Sequence, residues 1–270
     1  MPPIPLGQGI HVMHLFYRID RLRWSLLSDG DSARARDHLD ALCARFAGPA
    51  HPRIISLAPV GDKADLGFVL FHATLDGIAS LHRELLATFP PGLLSTAFSF
   101  LSITELPEYV TTDEDLQRLV ANGETKPIVG SPEFDVAFAV AKKRNEDYKF
   151  YRLHPELENW EILCFYPMSK KRTGTDNWYS LDFDTRRKLM GSHAKTGRKY
   201  AGKISQLITG ATGIDDWEWG VTLIAHRLDD VKNIVSEMRF DEVTARFGDF
   251  GPFFVSIRLQ PAALWDHLKL

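Results

Sequence analysis

Cysteine is almost absent: Cys43 and Cys164 are the only two in 270 residues. One bridge between them is arithmetically open, but a disulfide framework and zinc sites built on CxxC pairs are excluded. No apolar run approaches the roughly 20 residues that a membrane helix requires. The stretch Met1-Pro2-Pro3-Ile4-Pro5 lacks the charged start, apolar core and cleavage site of a secretory signal. A reducing cytoplasm is therefore the expected location. Nor is there an excess of basic charge. Lys plus Arg number 32 against 35 Asp plus Glu, so no nucleic-acid partner is expected. GxGxxG and Walker phosphate loops, a GxSxG elbow and an HExxH helix are also missing.

What is present is an ordinary globular composition, 44% hydrophobic and 25% charged, in a chain long enough to bury a core without staples. Apolar periodicity predicts strands at 9–17, 51–59, 64–74 and 96–106, with helices at 31–46 and 75–89. The order is β-α-β-β-α-β. It recurs with strands at 160–168, 203–209, 217–226 and 252–259 and helices at 182–200 and 228–238. The expected fold is α+β: two ferredoxin-like halves of the dimeric α/β-barrel type, with their sheets packed together. The halves are expected at 1–107 and 158–270. The intervening 108–157 is long for a connection. Its Phe134, Val136, Phe138 and Val140 predict an ordered, packed segment next to the site.

Charge is uneven along the chain. From Phe165 to Gln206, ten basic residues stand against three acids, +7 in a chain whose total is −3. This is either a solvated helix face or a pocket for a multiply charged anion. The same segment carries the unusual residues. His193 follows Leu189 and Met190 on one helix face, so it is either a hydrogen-bonded core histidine or an axial haem ligand. Gln206 shares a strand face with Ile204 and Ile208, as a satisfied core amide or as a neutral donor in an apolar cavity. Tyr166 shares a face with Cys164 and Met168, and Lys170, Lys171 and Arg172 follow it. Trp178 is a core or interface tryptophan on its own merits. Arg239 either pairs with Asp241 or Glu242 or grips a ligand carboxylate.

Several long words of sequence go further. They are Tyr166-Pro167-Met168-Ser169-Lys170-Lys171-Arg172, Asn177-Trp178-Tyr179, Leu189-Met190-Gly191-Ser192-His193 and Gly197-Arg198-Lys199-Tyr200-Ala201-Gly202-Lys203. Gln206-Leu207-Ile208-Thr209-Gly210, Asp215-Asp216-Trp217-Glu218-Trp219-Gly220-Val221-Thr222-Leu223 and Glu237-Met238-Arg239-Phe240-Asp241-Glu242 follow in order. From Tyr166 to Phe253 the chain resembles the chlorite dismutase-like haem proteins, and within them the bacterial coproheme decarboxylases. The first 150 residues match that family in element order only.

The resemblance implies a set of roles. His193 would be the axial ligand of the iron and Gln206 the residue over the open iron position. Tyr166 and Lys170 would be catalytic, with Tyr166 forming a radical. Arg152, Met168, Trp178, Arg239 and Thr244 would bind the macrocycle and its propionates. Thr244 stands where these enzymes often carry serine, which keeps a hydroxyl. The implied reaction uses hydrogen peroxide to convert two propionates of iron-coproporphyrin III (coproheme) to vinyls, giving haem b. This would be the last step of coproporphyrin-dependent haem synthesis. The implied assembly is a homopentamer, and the upstream ferrochelatase is an expected partner. A chlorite dismutase is the enzymatic alternative, although those enzymes are expected to carry arginine where this chain has Gln206. A non-catalytic haem-binding or carrier protein is the alternative from another class.

Overall fold

The computed structural model describes residues 2–123 and 125–270. Eight of its strands close one antiparallel ring. From the N-terminal half come β1 (His11–Ile19), β2 (Arg53–Pro59), β3 (Leu66–His72) and β4 (Leu94–Thr104). From the C-terminal half come β5 (Ile162–Lys170), β6 (Ile204–Gly210), β7 (Trp219–Ala225) and β9 (Phe254–Arg258), preceded by the short β8 (Gly248–Phe250). The half-sheets run β4-β1-β3-β2 and β6-β7-β5-β9, and they join at β4–β6 and β2–β9. β8 and β9 lie end to end along one edge of β5. The two expected sheets therefore pack on each other as the walls of a single barrel.

Alternation sends one set of side chains inward and the other outward. On β5, Leu163 and Phe165 join the interior clusters, while Cys164 and Tyr166 join the cluster outside the C-terminal half-sheet. Phe165 stacks on His14 of β1 at 4.1 Å. His14 is fully buried, its Nε2 bonded to Thr222 Oγ1 at 2.8 Å, and burial pushes its pKa down to about 3. Gly220 is required where β7 meets this interior, because a Cβ there would lie 2.6 Å from the Phe100 ring.

Helices form where caps and periodicity agree. α2 (Asp29–Arg45) starts at Ser28, whose hydroxyl accepts from the Asp31 N–H. The expected start at Asp31 is therefore two residues late, because a serine cap outranked the Asp-Ser pair read as the opening. α3 (Leu75–Ala87) starts at Thr74 in the same way. α6 (Phe183–Arg198) is capped by Asp182 and carries Lys195 and Arg198 in its last turn, as the helix dipole favours. α7 (Leu228–Met238) follows β7.

Three further helices of this unit were not expected: α1 (Arg21–Ser25), α8 (Glu242–Phe247) and α9 (Pro261–Leu268). α9 returns to the N-terminal half, where Trp265 stacks on Trp24 at 5.5 Å. Pro261 in its first turn, with Leu264, Trp265 and Leu268 at helical spacing, was a usable signal.

Residues 105–155 form a compact unit of their own, separate from the unit of 1–104 and 156–270. It holds α4 (Asp113–Ala121), with a Thr112 capping box, and α5 (Pro132–Leu153), capped by Ser131. Phe134 is buried and stacks on Phe138. Val136 and Val140 were expected to pack, but they are exposed on α5. No described helix is long and apolar enough to cross a membrane.

Candidate functional site

The outer face of β5 is the centre of the site. Cys164, Tyr166, Met168 and Lys170 alternate onto it. Tyr166 is 6% exposed, its ring stacked on Phe253 at 4.4 Å and near Phe250 at 5.7 Å. Burial raises its pKa, with the Cys164 thiol adding to the rise and Arg239 opposing it. Tyr166 is thus a neutral phenol at any physiological pH. Four residues on, Lys170 is 9% exposed. Its ammonium lies 4.8 Å over the Trp178 ring. Burial brings its pKa down to about 8, against the pull of Asp241 and then Glu218. It remains mostly protonated at neutral pH and titrates just above it.

Trp178 itself is buried in a short 3-10 turn and meets Phe247 of α8 edge-on at 5.3 Å. Val243 of α8 completes that small core, and Leu181, Leu189 and Met190 pack against it. This places α6 next to α8. There His193 Nδ1 and Asp241 Oδ2 are 2.8 Å apart. Asp241 caps α8, so its other oxygen accepts the Thr244 N–H at 2.8 Å. With Nδ1 held by the carboxylate, Nε2 is the ring nitrogen left to meet a ligand. A histidine oriented by a carboxylate in this way is a typical metal ligand. Thr244 is buried at the first turn of α8.

Arg239 ends α7 with its guanidinium 4.1 Å above Phe250, the ring that also borders Tyr166. Of the two readings of Arg239, the ion pair is not the one formed: Asp241 serves His193 and Thr244, and Glu242 accepts from Arg246. Nor is Arg239 buried; it is exposed, and its neighbour Phe240 is 87% exposed. Gln206 lies on the outer face of β6, half-buried between Ile204 and Ile208. Its ladder partner on β7 is Leu223, which faces Cys164 on β5. Two strand spacings, about 10 Å, thus separate Gln206 from the Cys164 position.

The structure therefore brings together Tyr166, Met168, Lys170, Trp178, His193, Arg239 and Thr244, with Gln206 on the same sheet face. Arg152 belongs to the 105–155 unit, where it donates to the Glu105 carbonyl at 3.4 Å and keeps Nε buried without a partner among the described residues. Both cysteines are free and buried, and burial pushes each thiol up to about 12. The bridge left open by their number does not form.

Part of the basic segment is used internally. Lys199 pairs with Glu237, Arg186 donates to the Leu181 carbonyl, and Arg172 approaches Glu218. Asp241, Glu218 and the Phe250 and Phe253 rings were missed as contributors. The first two stand inside the long sequence words, where only their burial distinguishes them from surface acids.

Three features define what could be bound here. No side chain of the 16-residue α6 is fully buried, although Leu189, Met190 and His193 all point inward in part. The sheet below offers half-buried apolar groups in Met168 and Ile208. The rim carries cations. No group of three or more His, Cys, Asp or Glu suited to a bare metal ion occurs among the described residues.

The model of the chlorite dismutase family matches residues 33–259. The chain belongs to the chlorite dismutase family. A haem-binding protein from Thermus thermophilus is 36% identical over 100% of this chain and 98% of its own, with a TM-score of 0.78. A double mutant of the chlorite dismutase from Candidatus Nitrospira defluvii is 17% identical over 98% of each chain, with a TM-score of 0.71. The same enzyme in complex with imidazole gives 17% identity, coverage of 98% and 97%, and a TM-score of 0.70. At that identity the likeness is one of fold. The family thus includes haem-dependent oxidoreductases and haem-binding proteins.

Proposed function

We propose that this family member is a coproheme decarboxylase. It would bind iron-coproporphyrin III and use hydrogen peroxide to convert two propionates to vinyls, giving haem b. One observation carries the reading: a buried phenol and a buried ammonium, Tyr166 and Lys170, share one strand face beside a histidine already oriented by Asp241. A haem carrier needs the histidine but has no use for the other two, and burying an ammonium is costly without a function.

His193 Nε2 would hold the iron, with Asp241 keeping Nδ1 protonated. Met168 and Ile208 would cover the ring. Lys170 and Arg239 would bind propionates, as Trp178 and Thr244 shape their surroundings, and Arg152 is proposed as a further propionate ligand. Gln206 would stand over the open position as a neutral donor. The bound iron porphyrin supplies peroxide activation and electron transfer. Tyr166, after losing one electron and its proton, takes a hydrogen atom from the propionate carbon next to the ring. Loss of a second electron releases carbon dioxide and leaves the vinyl. Per propionate, one peroxide and one added proton become two waters, and the Lys170 ammonium would supply that proton. The product of the first turnover must then shift so that the second propionate reaches Tyr166. Action in the cytoplasm as a homopentamer, receiving its substrate from a ferrochelatase, completes the proposal.

The test adds ferric coproheme and then peroxide to the purified protein and reads the product masses. Two successive losses, each of one carbon dioxide and two hydrogens, are expected. Tight binding without mass loss would overturn the reading in favour of a haem-binding protein, the reading that the 36% identical relative favours. Oxygen release from chlorite would favour a chlorite dismutase.

A further inference from the structure

The longest of the sequence words, from Asp215 to Leu223, contains a carboxylate that is 5% exposed, Glu218, to which no role has been given. A buried carboxylate needs partners. Glu218 Oε2 accepts the backbone N–H of Lys170 at 2.7 Å, and the Glu218 N–H donates to Ser169 Oγ at 3.2 Å. Its other oxygen lies 4.0 Å from Arg172 Nη1. The ladder between β5 and β7 ends at Met168 and Trp219. Beyond that pair, one side chain takes over the role of the missing strand.

We infer that Glu218 is the positioning residue of Lys170: its carboxylate, bonded to the Lys170 backbone N–H, fixes the end of β5 and sets a second negative charge near the ammonium that lies over Trp178. The use of that charge in turnover rests on the decarboxylase reading; the positioning does not. The groups around the ammonium can be enumerated. Asp241, at the start of α8, is the larger negative influence and Glu218 the second. Lys171 and Arg172 follow on the same strand end. On α8, Arg246 is engaged by Glu242 and Asp176, and Asp249 lies on β8 next to the ladder partner of Lys170, Gly248. Asp241 is shared with His193 and Thr244, whereas Glu218 is bonded to Lys170's own backbone.

Two variants separate the parts. Glu218→Gln keeps an acceptor for the Lys170 N–H and removes the charge. Glu218→Ala removes both. The ionisation midpoint of Lys170, followed by its modification with acetic anhydride across pH and mass spectrometry, is expected to fall by about half a pH unit in Glu218→Gln. The Lys170 amide is expected to stay protected from hydrogen exchange in Glu218→Gln and to lose protection in Glu218→Ala. The alkaline limb of vinyl formation should move down with the midpoint. An unmoved midpoint in Glu218→Gln, which is close in shape to the native residue, overturns the inference even if Glu218→Ala does not fold. If the midpoint moves while the wild-type protein makes no vinyl groups, the positioning stands and the decarboxylase reading falls.

Discussion

The two halves share one order of strands and helices, yet their outer faces differ. Over the N-terminal half-sheet, α2, α3 and the returning α9 close a continuous apolar cluster from Leu15 to Leu268. Among its polar groups, the Tyr17 hydroxyl is met by His82 Nε2 at 2.8 Å, and burial pushes its pKa up to about 12. Over the C-terminal half-sheet, α7 buries only Val231 and Ile234, α6 buries nothing completely, and the short α8 buries Val243, Thr244 and Phe247. Tyr166, Lys170, Glu218 and Thr244 are buried there among apolar groups. The same architecture thus gives a sealed face and an open one. What differs is how completely the covering helices bury their inward side chains.

The contrast can be broken most severely at Tyr166. Tyr166→Phe keeps the ring stack with Phe253, so coproheme binding should be unchanged while vinyl formation falls to background, read by product mass. Retained turnover would remove the radical role. On the sealed face, the comparable blow is to stability. Trp265→Ala should cost about 3–5 kcal/mol in denaturant unfolding, whereas Ile208→Ala, half-buried on the open face, should cost far less and instead weaken ligand binding.

Next in size is the axial histidine. His193→Ala should alter the absorption spectrum of the bound iron porphyrin, and Asp241→Ala should weaken its binding about 10–100-fold; unchanged spectra and affinity would dismiss the pair.

A smaller effect separates function from stability at Lys170. Its folded pKa, about 8, lies below its ordinary value. At pH 7 the lysine is charged in both folded and unfolded protein, so the cost of burying the charge is fully present. Between pH 8 and the usual lysine value, the unfolded chain binds more protons, and the cost fades as pH rises. Lys170→Met should therefore stabilise the protein at pH 7 by about 1–3 kcal/mol and suppress turnover, with the gain shrinking above pH 8. A loss of stability at pH 7 would contradict this. Least of all should change at the thiols: Cys43 and Cys164, buried and protonated, should react with iodoacetamide only on unfolding.

How far the sequence foretold this depends on the range of the interactions. The strand carrying Tyr166 was legible because alternation is local, and α6 because Asp182 and its apolar positions are. His193 was legible as unusual, but its bond to Asp241 spans 48 residues, beyond any periodic signal. Closure of the ring rests on pairs such as Ile103 with Gly210, which leave no mark in either segment. Arg239 stood between two readings because spacing alone cannot show that, at the end of α7, both it and Phe240 are exposed. Glu218 looked like one more acid in an acidic run until its depth was known.

Phe165 touches none of the proposed reactants, yet it stacks on His14 and Phe16 of the other half while its neighbours Cys164 and Tyr166 face outward. The strand that carries Tyr166 and Lys170 is thus clamped from behind by the N-terminal half-sheet. Separate expression of the C-terminal half would leave that strand without its backing and the barrel without two of its seams. Porphyrin binding is then expected to reappear only when the two fragments are mixed, which would make the N-terminal half the template on which the site is held.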